Sequence, residues 1–251
     1  VREMIVKELK DMKVRFLVMF FLLLGTFVLL VVMKDYTPAL TEMLKNIPEG
    51  FLEKFGVTEE FIKKLSEWNF YIITQWYGKN LGQFVPILAI IIAFPIFARE
   101  IENETIELLL VRLSRKKLFI VKFFAPLVFT FVALFVLALV PVPVSWFIGE
   151  KLDTGLVFRY LLVEMITIYL WFSITVFFSV ISSDQVQPLI ASIATLAGTT
   201  VLGGFVKTLS TLNTYSYVLK GDLTLWPSLI YTLTGVVFTY LSWKSFKTRD
   251  F

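Results

Sequence analysis

"FLVMFFLLLGTFVLLVVM", residues 16–33, is an eighteen-residue run with no charged side chain and nothing more polar than one threonine. About 20 mostly apolar residues in a helix suffice to cross a hydrocarbon core about 30 Å thick. The run therefore reads as a membrane span. Five further runs of the same kind follow at residues 81–98, about 118–140, 160–181, 186–206 and 223–243. Backbone polar groups inside lipid must bond to one another, and these runs lack the alternation of a β-barrel, so each is expected to be a helix. The expected fold is an all-α integral membrane protein with six transmembrane helices, a single domain over residues 1–251. A mean hydropathy of +0.77 agrees with that class.

An even number of spans puts both termini on one side, and charge chooses the side. Five basic residues precede span one (Arg2, Lys7, Lys10, Lys13 and Arg15), six lie within residues 99–122, and three follow span six. Together they are 14 of the 24 basic residues, set against nine acidic ones; the opposite face carries ten of each sign. Basic residues near span ends stay on the cytoplasmic side, so both termini are expected there, in a multi-pass protein of the cell membrane. No small-residue cleavage site follows the first run, which is expected to remain as a span.

Upstream of it, Val1, Met4, Ile5, Leu9, Met12 and Phe16 recur at helical spacing, the pattern of an amphipathic helix lying on the cytoplasmic membrane surface over residues 1–15. Between spans one and two, residues 34–80 form a connection too long to be structureless. Leu40, Met43, Leu44 and Ile47 share one face before Pro48, and Phe51, Leu52, Phe55, Phe61, Ile62 and Leu65 continue in short amphipathic pieces, predicting a large external helical loop. Trp68, Tyr71, Trp76 and Tyr77 then lead into span two, where aromatic residues often anchor at the headgroup level.

The connection between spans two and three is different in kind. "REIENETIELLLVRLSRKK", residues 99–117, is heavily charged yet helix-like. On a continuous helix Glu100, Glu104 and Glu107 would share a stripe beside an apolar face of Ile101, Thr105, Leu108 and Leu109. Acidic residues crowd its beginning and Arg112, Arg115, Lys116 and Lys117 its end, the distribution a helix dipole favours. A short helix at the cytoplasmic surface is expected.

The order of Arg99, Glu100, Glu104, Thr105, Glu107, Leu109, Leu110, Ser114, Arg115 and Lys122 resembles the cytoplasmic signature of type-2 ABC exporter permeases. A basic amphipathic arm, a large first outer loop with "IPE" at residues 47–49, and six spans extend that resemblance over the whole chain. Two departures stand out. Glu104 occupies a position where glycine commonly precedes the threonine, and "RLSR" lacks the usual proline and one residue. The resemblance implies that residues 99–117 are a coupling helix docking on an ABC ATPase subunit through Glu100, Glu104, Thr105, Glu107, Leu108, Leu109, Ser114 and Arg115. It also implies a half-transporter, working as a homodimer or as a heterodimer with a second permease, embedded in membrane lipid and exporting a cargo with ATP hydrolysed elsewhere.

The residues agree with such a division of labour. No G-x-x-x-x-G-K-[ST] phosphate loop occurs, and the chain, as a transport subunit rather than an enzyme, is expected to need no cofactor and no nucleic acid. Absence of cysteine and histidine excludes thiol nucleophiles and thiolate or imidazole metal sites. In span five, Ala194 and Gly198, then Thr199 and Gly203, are small-xxx-small pairs that permit close helix packing, within the bundle or across a dimer. Pro86, Pro95 and Pro126 mark kinks or hinges. Glu164, read as the one charged residue within the hydrocarbon region, sits near the outer end of span four and is expected to snorkel to the interface. The lack of a chain of buried charges points away from an ion-coupled relay, and an aliphatic and aromatic lining suits a hydrophobic or amphipathic cargo. The alternatives are a secondary transporter or channel and a non-transporting membrane scaffold.

Overall fold

The computed structural model describes residues 2–36, 39 and 64–250, and six of its helical stretches are long and apolar enough to cross a membrane. No strand occurs among the described residues. Span one is a single helix, α1 (Arg2–Lys34), that buries Met4, Glu8, Met12, Phe16, Met19, Leu23 and Phe27. These recur every three or four residues, as one face of a helix must. The expected arm over residues 1–15 is, over its described residues 2–15, not a separate surface helix but the first turns of α1. Thirty-three residues rise about 50 Å, about 20 Å more than a hydrocarbon core.

Span two is a composite. Helix α2 (Trp68–Tyr71) passes into a π-helix (Ile72–Leu81), then α3 (Gly82–Ala93), and after a turn at Phe94 into α4 (Pro95–Glu102). The aromatic residues expected at the headgroup level are instead buried inside the protein, with Trp76 and Tyr77 fully enclosed. Three of the four bring a polar atom to a partner. Trp68 Nε1 donates to Ser145 Oγ at 2.7 Å, Tyr71 Oη to the Leu30 carbonyl at 2.9 Å, and Tyr77 Oη to the Ala138 carbonyl. The amphipathic pieces expected between Leu40 and Ile62, with "IPE", lie outside the described residues.

After the short α5 (Ile106–Arg112), span three is α6 (Arg115–Leu139) continued by α7 (Pro141–Phe147). Span four is α8 (Thr154–Ile181) and span five α9 (Val186–Phe205). A 3-10 turn (Lys207–Leu212) and α10 (Thr214–Lys220) lead to span six, α11 (Leu225–Thr248). Pro86 and Pro126 lie inside continuous helices, whereas Pro95, the third proline expected to mark a kink or hinge, begins a new helix.

Span four is the hub, packing on α11, α3, α9, α6 and α4. Spans two and four bury 72% and 67% of their apolar stretches, whereas one, five and six bury 17%, 22% and 17%. Lipid tails are as apolar as leucine, so what distinguishes the centre is close packing and polar contact rather than hydrophobicity. At the α10–α11 turn Gly221 has φ +58°, and a Cβ there would lie 2.2 Å from the Tyr160 ring. Only glycine satisfies both constraints. Both ends of the described chain meet residues 99–117 at one end of the bundle, called here the basic end, through Lys7 with Glu100 and Arg115 with the Arg249 carbonyl.

Candidate functional site

Residues 99–117 do not form one helix. The chain leaves α4 at Glu102, turns through Asn103 and Glu104, forms the seven residues of α5, extends at Leu113 and starts α6 at Arg115. Glu104 has φ +56°, the left-handed region that disfavours side chains. That conformation is the physical reason a glycine suits this position. The break also dissolves the expected glutamate stripe: Glu100 is buried, while Glu104 and Glu107 are exposed.

Beneath the turn lies a buried charge lattice. Lys122, in the apolar run of α6, is 0% exposed. An ammonium has three hydrogens to place. Here they meet Glu8 Oε1 at 2.8 Å, the Ile96 carbonyl at 2.9 Å and Glu100 Oε1 at 3.3 Å. Glu100 also accepts from Lys7 and from Thr105 Oγ1, and Arg99 donates to Asp11. Carboxylate oxygens of Glu8, Asp11 and Glu100 lie within 4.8 Å of one another, the spacing of a metal cluster. In this lattice the positive charge among them is supplied by Lys7, Arg99 and Lys122. Removing one member of such a buried set leaves an uncompensated charge, at a cost of about 3–5 kcal/mol.

Further bonds tie α4 and the same segment to the remaining spans. Pro95 at the first position of α4 has no N–H, and the orphan donors that follow need acceptors. Ser179 Oγ of span four accepts from Phe97 N and Ala98 N, each at 3.0 Å. Glu102 accepts from Gln185 Nε2 at 2.7 Å, at the start of span five. Arg115 donates to the carbonyls of Phe246, Lys247 and Arg249 at 3.0, 3.2 and 2.6 Å, closing the open end of α11, and Arg249 in turn donates to the Val180 and Ser182 carbonyls. Basic side chains suit carbonyl-rich helix ends.

The residues expected to dock a partner therefore divide. Glu100, Thr105 and Arg115 bond inward, and Ser114 caps α6 by accepting from Lys117 N at 3.5 Å. Leu109 is half-buried against the core. Glu104, Glu107 and Leu108 face outward, with Leu108 66% and Val111 85% exposed. Lys122, Glu8, Ser179 and Arg249 were not singled out as site residues. Two had a signal: Glu8 falls on the apolar stripe of α1, and Lys122 interrupts the run "LFIVKFF".

The family model described as "ABC-2 family transporter protein" matches residues 4–246. The chain belongs to the ABC-2 transporter family. No curated protein and no solved structure matches it. As an ABC-2 permease it is a membrane transport component, and the family model reaches into every described helix.

In this permease the small residues of span five part company. Gly203 is buried, and a Cβ there would meet the Asn213 backbone nitrogen at 2.6 Å. Ala194 and Gly198 are exposed, and a Cβ at Gly198 would meet nothing within 4 Å; Thr199, half-buried, bonds back to the Thr195 carbonyl. Beside them an apolar groove of about 650 Å³ runs between α3 and α9, lined by Ile87, Ile90, Phe94, Ile193, Leu196 and Val201. Glu164, expected at the interface, is instead fully buried.

Proposed function

We propose that this permease is the membrane-spanning subunit of an ATP-driven exporter, with both termini cytoplasmic, driven by a separate ABC ATPase that grips α5. The observation that carries the reading is a division within residues 99–117. An exposed apolar pair, Leu108 and Val111, flanked by Glu104, Glu107 and Arg112, stands on a segment bonded to spans one, three, five and six. A surface helix that served only to connect spans would need no such anchoring.

ATP-driven closure of the motor pushes α5, and the buried lattice passes the displacement to spans one and three through Glu8 and Lys122. Ser179 carries it to span four, Glu102 and Gln185 to span five, and Arg115 to span six. The break before Pro95 is where α4 swings against α3, because no backbone bond from Pro95 spans it. A second permease, identical or related, faces the open Ala194 and Gly198 surface, and the apolar grooves of the two subunits line the path of a hydrophobic or amphipathic cargo.

Co-expression of the permease with its ATPase tests the reading. Leu108→Asp together with Val111→Asp, both at exposed positions, is expected to abolish co-purification and cargo-stimulated ATP hydrolysis. Stability should stay within about 0.5 kcal/mol of wild type, as for other surface changes. An intact, cargo-stimulated complex in the double variant would overturn the docking assignment.

A further inference from the structure

Glu164 lies about three turns into α8, in the half of span four remote from the basic end. It is 0% exposed, and among the described residues no donor reaches either carboxylate oxygen. Lys122, equally buried, shows what a retained charge requires, since three acceptors surround it. An ionised carboxylate with neither cation nor donor in a low-dielectric interior is prohibitively costly, and such a group keeps its proton.

The neighbourhood offers no replacement cation. Of the helices packed on α8, α3 and α9 carry no titratable side chain, and those of α4 and α6 lie at the basic end. The π-helix contributes Tyr77 and an exposed Lys79; α10 contributes Tyr215, Tyr217 and Lys220; α11 contributes Tyr231 in its remote half, with Tyr240, Lys244 and Lys247 toward the basic end. On α8 itself Tyr169 bonds Thr239, and Arg159 pairs with Asp222 at 3.6 Å. The hydroxyls of Tyr77 and Tyr160 donate elsewhere, to the Ala138 and Leu219 carbonyls.

The element opposite is the unusual one. A π-helix is rare, generally a single-turn bulge, and often marks a functional site. Here it extends over ten residues, with the wide-turn bond from Gly82 N to the Tyr77 carbonyl at its end. Rewinding it as an α-helix would turn Trp76 and Tyr77 about the axis and loosen the contact with span four.

We propose that Glu164 is a proton-binding site of the permease, loaded in this closely packed arrangement and exchanging with water only when span four parts from the π-helical segment during transport. The proton passes from the carboxyl oxygen to water, leaving a carboxylate, and returns when the helices repack; no other bond changes. The coupling of this exchange to ATP rests on the exporter reading above, whereas the loaded proton does not.

Infrared difference spectroscopy on the permease–ATPase complex in lipid nanodiscs separates the two. Wild type minus Glu164→Gln is expected to show a carboxylic-acid carbonyl band at neutral pH. In heavy water that band should shift at least ten-fold faster during ATP turnover than at rest. Glu164→Asp, whose acid band falls at another frequency, replaces the glutamine variant if the latter fails to assemble. Absence of the band, or exchange indifferent to ATP, overturns the proposal. A band present in the isolated permease when no ATPase binds would instead keep the loaded site and sink the exporter reading.

Discussion

Lys122 and Glu164 are both fully enclosed, in a membrane-spanning bundle where a lone charge is expensive, yet their surroundings are opposites. Around Lys122 the basic end supplies two carboxylates and a carbonyl, and the carboxylates find further partners in Lys7 and Thr105. Around Glu164 the remote half of span four supplies no hydrogen-bond donor among the described residues. The contrast shows two uses of a polar group inside such a bundle. A saturated lattice holds helices in fixed register, whereas an unsaturated acid is a place where the packing is able to respond.

The strongest way to break this contrast is to impose the condition of Glu164 on the basic end. Lys122→Met leaves Glu8 and Glu100 without their shared ammonium and should destabilise the permease by about 3–5 kcal/mol, read as a lowered unfolding midpoint in detergent. A midpoint equal to wild type would mean that the lattice carries no structural load.

Next in size is the bond that spans the Pro95 break. Ser179→Ala strips the acceptor from Phe97 N and Ala98 N, for an expected loss of about 1–3 kcal/mol. Threonine at position 179 should restore most of it, and a restored stability without restored cargo-stimulated hydrolysis would show that the geometry of the break, as well as its bonding, matters.

The smallest effect sharpens the comparison at the turn itself. Glu104 is exposed and left-handed, so Glu104→Gly removes strain without touching the lattice and should stabilise by about 1 kcal/mol. A loss of stability there would assign Glu104 an interaction that outweighs its backbone conformation.

Much of the architecture was legible in the residues. Uninterrupted apolar length marks a span because hydrocarbon thickness is fixed, and the clustering of basic residues divides one end from the other. The interruption at residues 99–117 was equally plain, but its interior was not. A helical wheel places Glu100 beside Glu104 and Glu107 only if the helix continues, and the turn at Asn103 and Glu104 rotates them apart. Glu164 and the aromatic residues of span two misled for a related reason: proximity to a span end suggests the interface, while a neighbouring helix decides burial.

Span number, the charge asymmetry and the order of parts follow from the chain alone, since each depends on a local run of residues measured against a lipid layer of known thickness. Which groups meet does not. Lys122 finds Glu8 across 114 positions and Arg115 finds the Arg249 carbonyl across 134. Periodicity names the residues sharing a face, but in lipid both the inward and outward faces are apolar, so only the packed bundle selects the partner each face receives.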